Sequence, residues 1–500
     1  MGCELNFLNR HLLTGLALVV FMTIAAFFIK LNDLKNDRCV ENIQATYHML
    51  LTLNSLSSLP VKETLLLPTV NLNGENNKNI QWAAAIPTKD GNYVYTSFPS
   101  LGFVAPYVAI RSIGGKLDLK SVFIFNNIVN SISCIILFIS LFFMLDKETE
   151  KKWMATFGAL AGCAVLIFSC ESLVSTGLVY WPQSLSQLFI SIIILLFVIR
   201  VYWKDALSID ILIATSLFSL NMTEWTGYVL CGTLAIYSCI RKFSKWRRIV
   251  LFCFLSIISS ALLFFAQLYF TVDFNSFIDT SLARFGARST GNASFTSLLT
   301  GYWISFGIFL AFIIPASFTF RRERLVFILI ISLLPLIENF ILAQHAAEFT
   351  FDRFKLAFPL AIIISSLFLI KIRLIAPVAS ILVVLASAFG LHQYKNKIQA
   401  FSAWTDIDHN NQRLIQLTKA KTNLGCADIY ADVRVRGYLI NSFLRGIHEG
   451  VQNHPDELLK ANAGTCSVVI LHGDMPEQDL PRLNSIEIFN NGVKPPVIIN

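Results

Sequence analysis

The chain is short of charge. Of its 500 residues only 14% are Asp, Glu, Lys or Arg, where a soluble domain carries roughly 25%. With 55% hydrophobic residues, 42 Phe and a mean hydropathy of +0.60, that shortage excludes an ordinary soluble enzyme. Zinc-type cysteine patterns are also missing. None of the ten Cys forms a CxxC pair or a Cys/His ligand spacing. Most lie in apolar runs (Cys134, Cys163, Cys170, Cys231, Cys239, Cys253), where a thiol packs as a small hydrophobe. No basic domain or aromatic-interleaved patch accompanies the net charge of +8, so a nucleic-acid partner is not indicated. There is no Gly-rich phosphate loop, and no internal repeat of the inverted-transporter kind. The first apolar run, Leu12 to Ile29, lacks an A-x-A-type cleavage site and reads as an uncleaved anchor.

What is present is a series of apolar runs. They lie at about 121–145, 153–170, 184–203, 208–222, 226–240, 249–270, 298–319, 325–342, 356–370 and 374–391. With the first run they predict a polytopic α-helical membrane protein of about eleven spans. Several runs are near 15 residues and require tilting or breaking. The segment from Phe98 to Gly114 is apolar too, and charge decides its fate. If it does not cross, Lys147/Lys151/Lys152, Arg200/Lys204, Arg241 to Arg248, Arg321/Arg322/Arg324 and Lys371/Arg373 all face one side. The short loops 171–183 and 223–225 then carry no Lys or Arg. The positive-inside rule favours that arrangement, with Phe98–Gly114 an interfacial helix on the outer face. The N-terminus is then cytoplasmic in an inner, cytoplasmic membrane.

The division expected is a membrane domain over 1–391 and a small extracytoplasmic α/β domain over 392–500. In the latter, Asp428–Asp432, Ser467–Leu471 and Ile486–Phe489 read as strands, and Val435–Ile447 and Pro455–Ala461 as helices. Cys426 and Cys466 share this region, and a disulfide between them is left open. The longest connection in the membrane part, the first outer loop over 30–120, opens with Asp33, Asp37 and Glu41. So long a loop is functional or disordered. Acids at span ends (these three with Glu171, Glu224, Asp273, Asp279, Glu348 and Asp352) collect on the outer side under this topology, and ionisable groups at such depths are generally functional.

Four motifs in order carry a resemblance. They are Tyr95-x-x-Phe98-Pro99-Ser100-Leu101, Val179-Tyr180-Trp181-Pro182-Gln183, Thr223-Glu224-Trp225-x-x-Tyr228, and Glu338-Asn339 followed by Gln344-His345-Ala346. Together they resemble elements of the GT-C glycosyltransferases, in the protein-mannosyltransferase and aminoarabinose-transferase-like branch, over about residues 10–390. The resemblance implies a polyprenyl-phosphate-linked sugar donor, catalysis on the extracytoplasmic face and a catalytic acid in the first outer loop. The acceptor would be a cell-surface glycan, lipid or protein, as in lipopolysaccharide or cell-envelope assembly. Three departures stand out: Arg38 follows Asp37 where the family often has a second acid, Phe98 replaces a His or Lys, and Gln183 replaces an acid.

Carried onto this chain, Asp37 is the favoured base, with Asp33 and Glu41 as alternatives. Removing the acceptor hydroxyl's proton in an inverting displacement requires such a carboxylate. Arg284, Arg288, Arg353 and Lys355 are candidates for the donor phosphate, which suits the guanidinium fork. His48, Tyr95, Glu171, Glu224 and His345 are candidate substrate contacts. His345, Glu348 and Asp352 would share a helical face, but such triplets are too common to diagnose a metal; no metal ligand is assigned, and a divalent-cation requirement is left open. The rival readings are a flippase of lipid-linked glycans, which needs charges inside the spans where only Glu338 lies, and a non-catalytic membrane protein of envelope assembly.

Overall fold

A computed structural model describes residues 2–35, 42–70, 85–290, 295–319, 322–372 and 374–402, together with five strands in the tail. Seven of its helices are long and apolar enough to cross a membrane: Arg10–Leu34, Leu119–Glu148, Pro182–Tyr202, Trp246–Thr271, Phe295–Thr319, Glu323–Ile341 and Ile375–Ile398. Shorter apolar helices include Lys152–Phe168, Leu207–Asn221 and Trp225–Ile240. The chain is a multi-pass membrane protein of largely helical fold.

Local chemistry sets several of these elements. Asp118 caps the Leu119–Glu148 helix by accepting the Ser121 N–H at 2.8 Å. Pro182 opens its helix at the first turn, where no N–H is needed. The Lys152–Phe168 helix seats against Ala357–Ser366 through Gly162, where a β-carbon would meet the Ala361 carbonyl oxygen at 2.6 Å. Such small residues let helix backbones approach closely in a bilayer.

Residues Trp225–Thr271 are helical throughout, yet they do not form one rod. The rings of Trp225 and Phe264 lie 6.1 Å apart, whereas a straight helix would separate them by about 58 Å. Tyr237 and Trp246 both pack on Phe327, at 5.8 and 4.7 Å. The chain therefore doubles back between Tyr237 and Trp246, so that a span-length helix, Trp246–Thr271, and a shorter apolar one, Trp225–Ile240, meet at the basic cluster.

The other basic connections gather at that same end. Arg200 binds Asp210 at 2.7 Å and lies over the Trp246 ring. Arg248 pairs with Asp205 and with Asp210, Arg322 with Glu148 at 2.8 Å, and Lys147 sits over Trp203. These contacts join four of the five basic connections that the charge count assigns to one side; Arg373 of the fifth lies outside the described residues.

At the opposite end the long loop folds on the bundle. It contributes the helix Ile43–Ser58, an antiparallel sheet with Tyr93–Tyr95 between Thr69–Val70 and Ala85–Pro87, and the helix Leu101–Ser112. The last spans about 18 Å, too short for an approximately 30 Å hydrocarbon core, in keeping with a non-crossing helix. It is held at Gly102, whose carbonyl accepts the Tyr180 hydroxyl at 2.7 Å. A β-carbon there would meet Pro182 at 2.7 Å.

Two boundaries need correction. The first helix runs to Lys35, so Lys30 and Asp33 belong to it rather than to the loop. Lys30 is buried and donates to the Thr176 carbonyl and hydroxyl at 3.0 Å, contacts that support the extra turns. The final helix, Ile375–Ser402, likewise continues past 391.

The tail strands form a five-stranded sheet in the order Val451–Gln452, Asp428–Ala431, Ser467–Leu471, Ile486–Asn490, Val497–Ile498. All neighbours are parallel except the last pair. The helices expected at 435–447 and 455–461, and both Cys426 and Cys466, lie outside the described residues.

Candidate active site

Two cavities open where the loop meets the bundle. The smaller, about 150 Å³, is walled by His48, Tyr95, Trp181, His345, Phe349 and Phe351, with Asn42, Ala45, Arg284 and Arg288 at its margins. The larger, about 580 Å³, is mainly apolar, lined by Trp225, Tyr228, Phe265, Phe277, Leu282 and Phe285 among others. Arg284 and Arg288 line both.

Each wall is fixed by its element. His48 rides on Ile43–Ser58, which is tied down by Thr46: its hydroxyl donates to the Leu178 carbonyl at 2.7 Å and accepts the Tyr180 N–H at 2.8 Å. The His48 ring meets Tyr95 at 4.3 Å and Trp181 at 5.3 Å. Burial, and then the charge of Arg284, pull its pKa down to about 3, so it is a neutral imidazole. Arg284, from the helix Phe274–Thr290, lies over the Tyr95 ring at 5.2 Å and donates to the Ser97 hydroxyl. Phe98 stands in the same aromatic group, 5.4 Å from Trp181. It lines neither cavity and instead packs behind Tyr95 and Trp181, so no cation stands at that position.

Behind the small cavity is a buried charge cluster. Lys355 lies 2.7 Å from Glu338, 3.1 Å from Glu224 and 3.7 Å from Asp352. Asp352 also contacts His345 Nδ1 and accepts from Gln183 Nε2 at 2.8 Å. Burial alone would raise the Asp352 pKa, but His345 and Lys355 outweigh it and hold the carboxyl below its ordinary range. Burial would lower Lys355, and Glu224, Glu338 and Asp352 together raise it instead. Glu224 is pushed up to about 7, by burial first and then by its acidic neighbours, against the pull of Lys355. Beside this cluster Glu171 accepts from Ser175 at 2.7 Å and pairs with Arg353 at 3.5 Å. Arg353 also donates to Ser305 and to the Ala346 and Ala347 carbonyls.

Of the residues singled out from sequence, the small cavity unites His48, Tyr95, His345, Arg284 and Arg288. Glu171, Glu224, Arg353 and Lys355 are packed behind it in ion pairs with one another or with the cluster. Asp33 is buried, with its carboxylate accepting from the Tyr394 hydroxyl of the final helix. Asp37 and Glu41 lie outside the described residues. The segment that holds them joins Lys35 to Asn42, and Asn42 lines the small cavity. The His345–Glu348–Asp352 triplet divides: Phe349 is extended between two short helices, so His345 meets Asp352, while Glu348 accepts from Gln344 at 2.9 Å. Among the described residues no cluster of three His, Cys, Asp or Glu could hold a metal.

Three residues that stand in the sequence motifs without an assigned role prove to be participants. Glu338 accepts from Thr226, reaches Lys355 and lines the large cavity; its signal was a lone carboxylate in an apolar span. Asn339 joins Tyr302 and the Asp352 carbonyl at 2.7 and 2.9 Å. Gln183, an apparent loss of an acid, supplies the donor that Asp352 needs.

No family model matches the chain, and no curated protein matches it by sequence. Solved structures do. ArnT from Cupriavidus metallidurans bound to undecaprenyl phosphate superposes with a TM-score of 0.53 at 12% identity, covering 94% of this chain and 85% of that one. The Archaeoglobus fulgidus oligosaccharyltransferase gives 0.52 at 10% identity over 90% of this chain. This chain spans 65% of the length of that oligosaccharyltransferase. The oligosaccharyltransferase AglB from Archaeoglobus fulgidus, in complex with an inhibitory peptide and a dolichol-phosphate, gives 0.50 at 11%. The chain has the GT-C fold.

Proposed function

We propose that the protein is a GT-C glycosyltransferase that moves a sugar from a polyprenyl-phosphate donor to an acceptor outside the cytoplasmic membrane. The observation that carries this reading is the pair Arg284 and Arg288, which lines an apolar groove on one side and a polar, aromatic chamber on the other. A lipid-linked sugar phosphate has that sequence of chemistry: an apolar chain, an anionic centre and a polar ring. The structural neighbours that hold undecaprenyl phosphate or dolichol-phosphate support it.

In the reaction the acceptor hydroxyl attacks the anomeric carbon, and the bond from that carbon to the phosphate oxygen breaks. The phosphodiester, with one negative charge, leaves as a phosphate monoester with close to two. Two guanidinium groups match the charge that develops. The hydroxyl proton passes to the carboxylate of Asp37, and inversion follows from a single displacement. Arg353 and Lys355 serve the same site indirectly by fixing its acids. The C-terminal sheet belongs to an extracytoplasmic domain, with the N-terminus cytoplasmic.

Replacing Asp37 by Asn, with membrane insertion verified, is expected to lower sugar transfer by about 10²- to 10⁴-fold, the usual worth of a general base. Undiminished transfer in Asp37→Asn and in the Asp33 and Glu41 counterparts would defeat the enzymatic reading.

A further inference from the structure

The long loop also touches the Trp246–Thr271 helix at a place that neither cavity uses. Val61, Leu65 and Leu66 form one wall of an open apolar trough of about 320 Å³, and Leu263, Ala266 and Phe270 of the helix form the other. Gln267 brings the one polar side chain among the lining residues, and none of them is charged.

Depth along the helix decides what surrounds this trough. About 20 residues of helix cross a hydrocarbon core of roughly 30 Å. Counted from Ile249, just past Arg248 of the basic end, they reach Leu268. Interface markers stand there. Lys89 lies over the Tyr269 ring at 5.8 Å and donates to the Tyr269 carbonyl at 3.1 Å, as cations and aromatic rings do at a membrane boundary. Leu263 and Ala266 lie inside that boundary, and the leucines of the opposite wall share their depth. Ala266 also continues, at helical spacing, the exposed apolar row of Leu255, Ile258 and Leu262, the face that lipid covers along the span.

The turn is built for a place without water. The N–H groups of Leu65, Leu66 and Leu67 donate to the Val61 carbonyl at 2.7 Å, the Thr64 hydroxyl at 3.3 Å and the Thr64 carbonyl at 2.9 Å. The Leu65 carbonyl accepts from Gln267 Nε2 at 2.7 Å. Backbone groups at membrane depth must be satisfied within the protein in this way. Leu65 and Leu66 are both left-handed, at φ 44° and 63°, a conformation that bulky side chains rarely take. Gly or Asn is the usual choice for such a turn in water; here apolar side chains occupy it and line the trough.

We propose that residues 61–66 are a membrane-embedded turn, and that the trough it forms against the Trp246–Thr271 helix holds one acyl chain of a bilayer lipid. The turn is joined to the candidate site, because the Pro68 carbonyl accepts the Tyr95 N–H at 2.8 Å. Its depth in the bilayer therefore sets the height of the sheet that carries Tyr95. The proposal is independent of the sugar-transfer reading.

The test uses full-length protein in nanodiscs of phosphatidylcholine whose acyl chains carry a diazirine, with crosslinked residues mapped by mass spectrometry. Illumination should mark both walls, residues 61–66 and 263–270. Ala266→Trp, which fills the trough, should remove the marks on residues 61–66 and leave those on Ile258 and Leu262; Leu263→Trp takes its place if that variant does not assemble. A nitroxide carried at position 66 on an introduced keto amino acid should be relaxed more by oxygen, which concentrates among acyl chains, than by a water-soluble nickel chelate. One at the exposed Asp90 should show the reverse. Marks absent from residues 61–66, marks there that survive filling of the trough, or a position-66 nitroxide reached chiefly by the nickel chelate would overturn the proposal. So would a position-66 nitroxide shielded from both reagents, the result expected of a protein partner covering the trough.

Discussion

At the basic end of the bundle Arg200 and Arg248 meet Asp205 and Asp210, two cations against two anions. At the other end Glu224, Glu338 and Asp352 converge on Lys355, with His345 against Asp352. The first arrangement is balanced: it ties the turn of a helical hairpin to the neighbouring connection. The second leaves excess negative charge beside two cavities, where its ionisation responds to pH and to whatever enters. Buried ion pairs stabilise little compared with apolar packing, so retaining an unbalanced one points to the site rather than to the fold.

The largest effect expected is for Lys355→Met. It strips three buried carboxylates of their cation and should lower stability by about 3–5 kcal/mol, read as thermal melting in detergent. Arg200→Met should cost less, because Arg248 still reaches Asp210 at 3.0 Å. Equal losses would erase the contrast between the ends.

Next is Arg284→Ala, expected to weaken undecaprenyl phosphate binding by about tenfold to a hundredfold, as charge-assisted hydrogen bonds do. Arg248→Ala at the basic end should leave that binding unchanged, and a lipid-binding assay checks both.

The third concerns pH. Glu224 has its folded pKa raised from 4.5 to about 7, so the folded state holds its proton longer than the unfolded state. Its contribution is present in full below 4.5 and is lost as pH rises through about 7. Glu224→Gln should flatten the melting temperature over that window. Asp352 acts in the opposite sense, stabilising above the ordinary carboxylate value and failing only in acid. The smallest effect is for Lys152→Ala, whose partly exposed pair with Asp146 is worth at most about 1 kcal/mol.

Much of the architecture was legible without coordinates. Apolar runs marked the span-length helices because a bilayer accepts little else, and Leu101–Ser112, which the Lys and Arg pattern kept out of the spans, is a helix too short to cross one. The hairpin at Tyr237–Trp246 was visible as a basic interruption even though the helix geometry continues almost unbroken. The site was legible in parts. His48, Tyr95, Arg284, Arg288 and His345 could be named, but nothing in their spacing said that elements hundreds of residues apart would close one chamber around them. Gln183 and Phe98 looked like losses because a motif lists residue types without their partners. In three dimensions Gln183 completes the shell of Asp352, and Phe98 backs Tyr95 and Trp181 of the aromatic wall.

Sequence by itself determined the medium, the helical character and which basic connections gather at one end of the bundle, since each depends on composition and local periodicity. Only the tertiary structure decided which carboxylates share Lys355, which histidine Asp352 holds, and that two arginines stand between an apolar groove and a smaller aromatic chamber. Those are distances between remote segments, and long-range packing, not local preference, sets them.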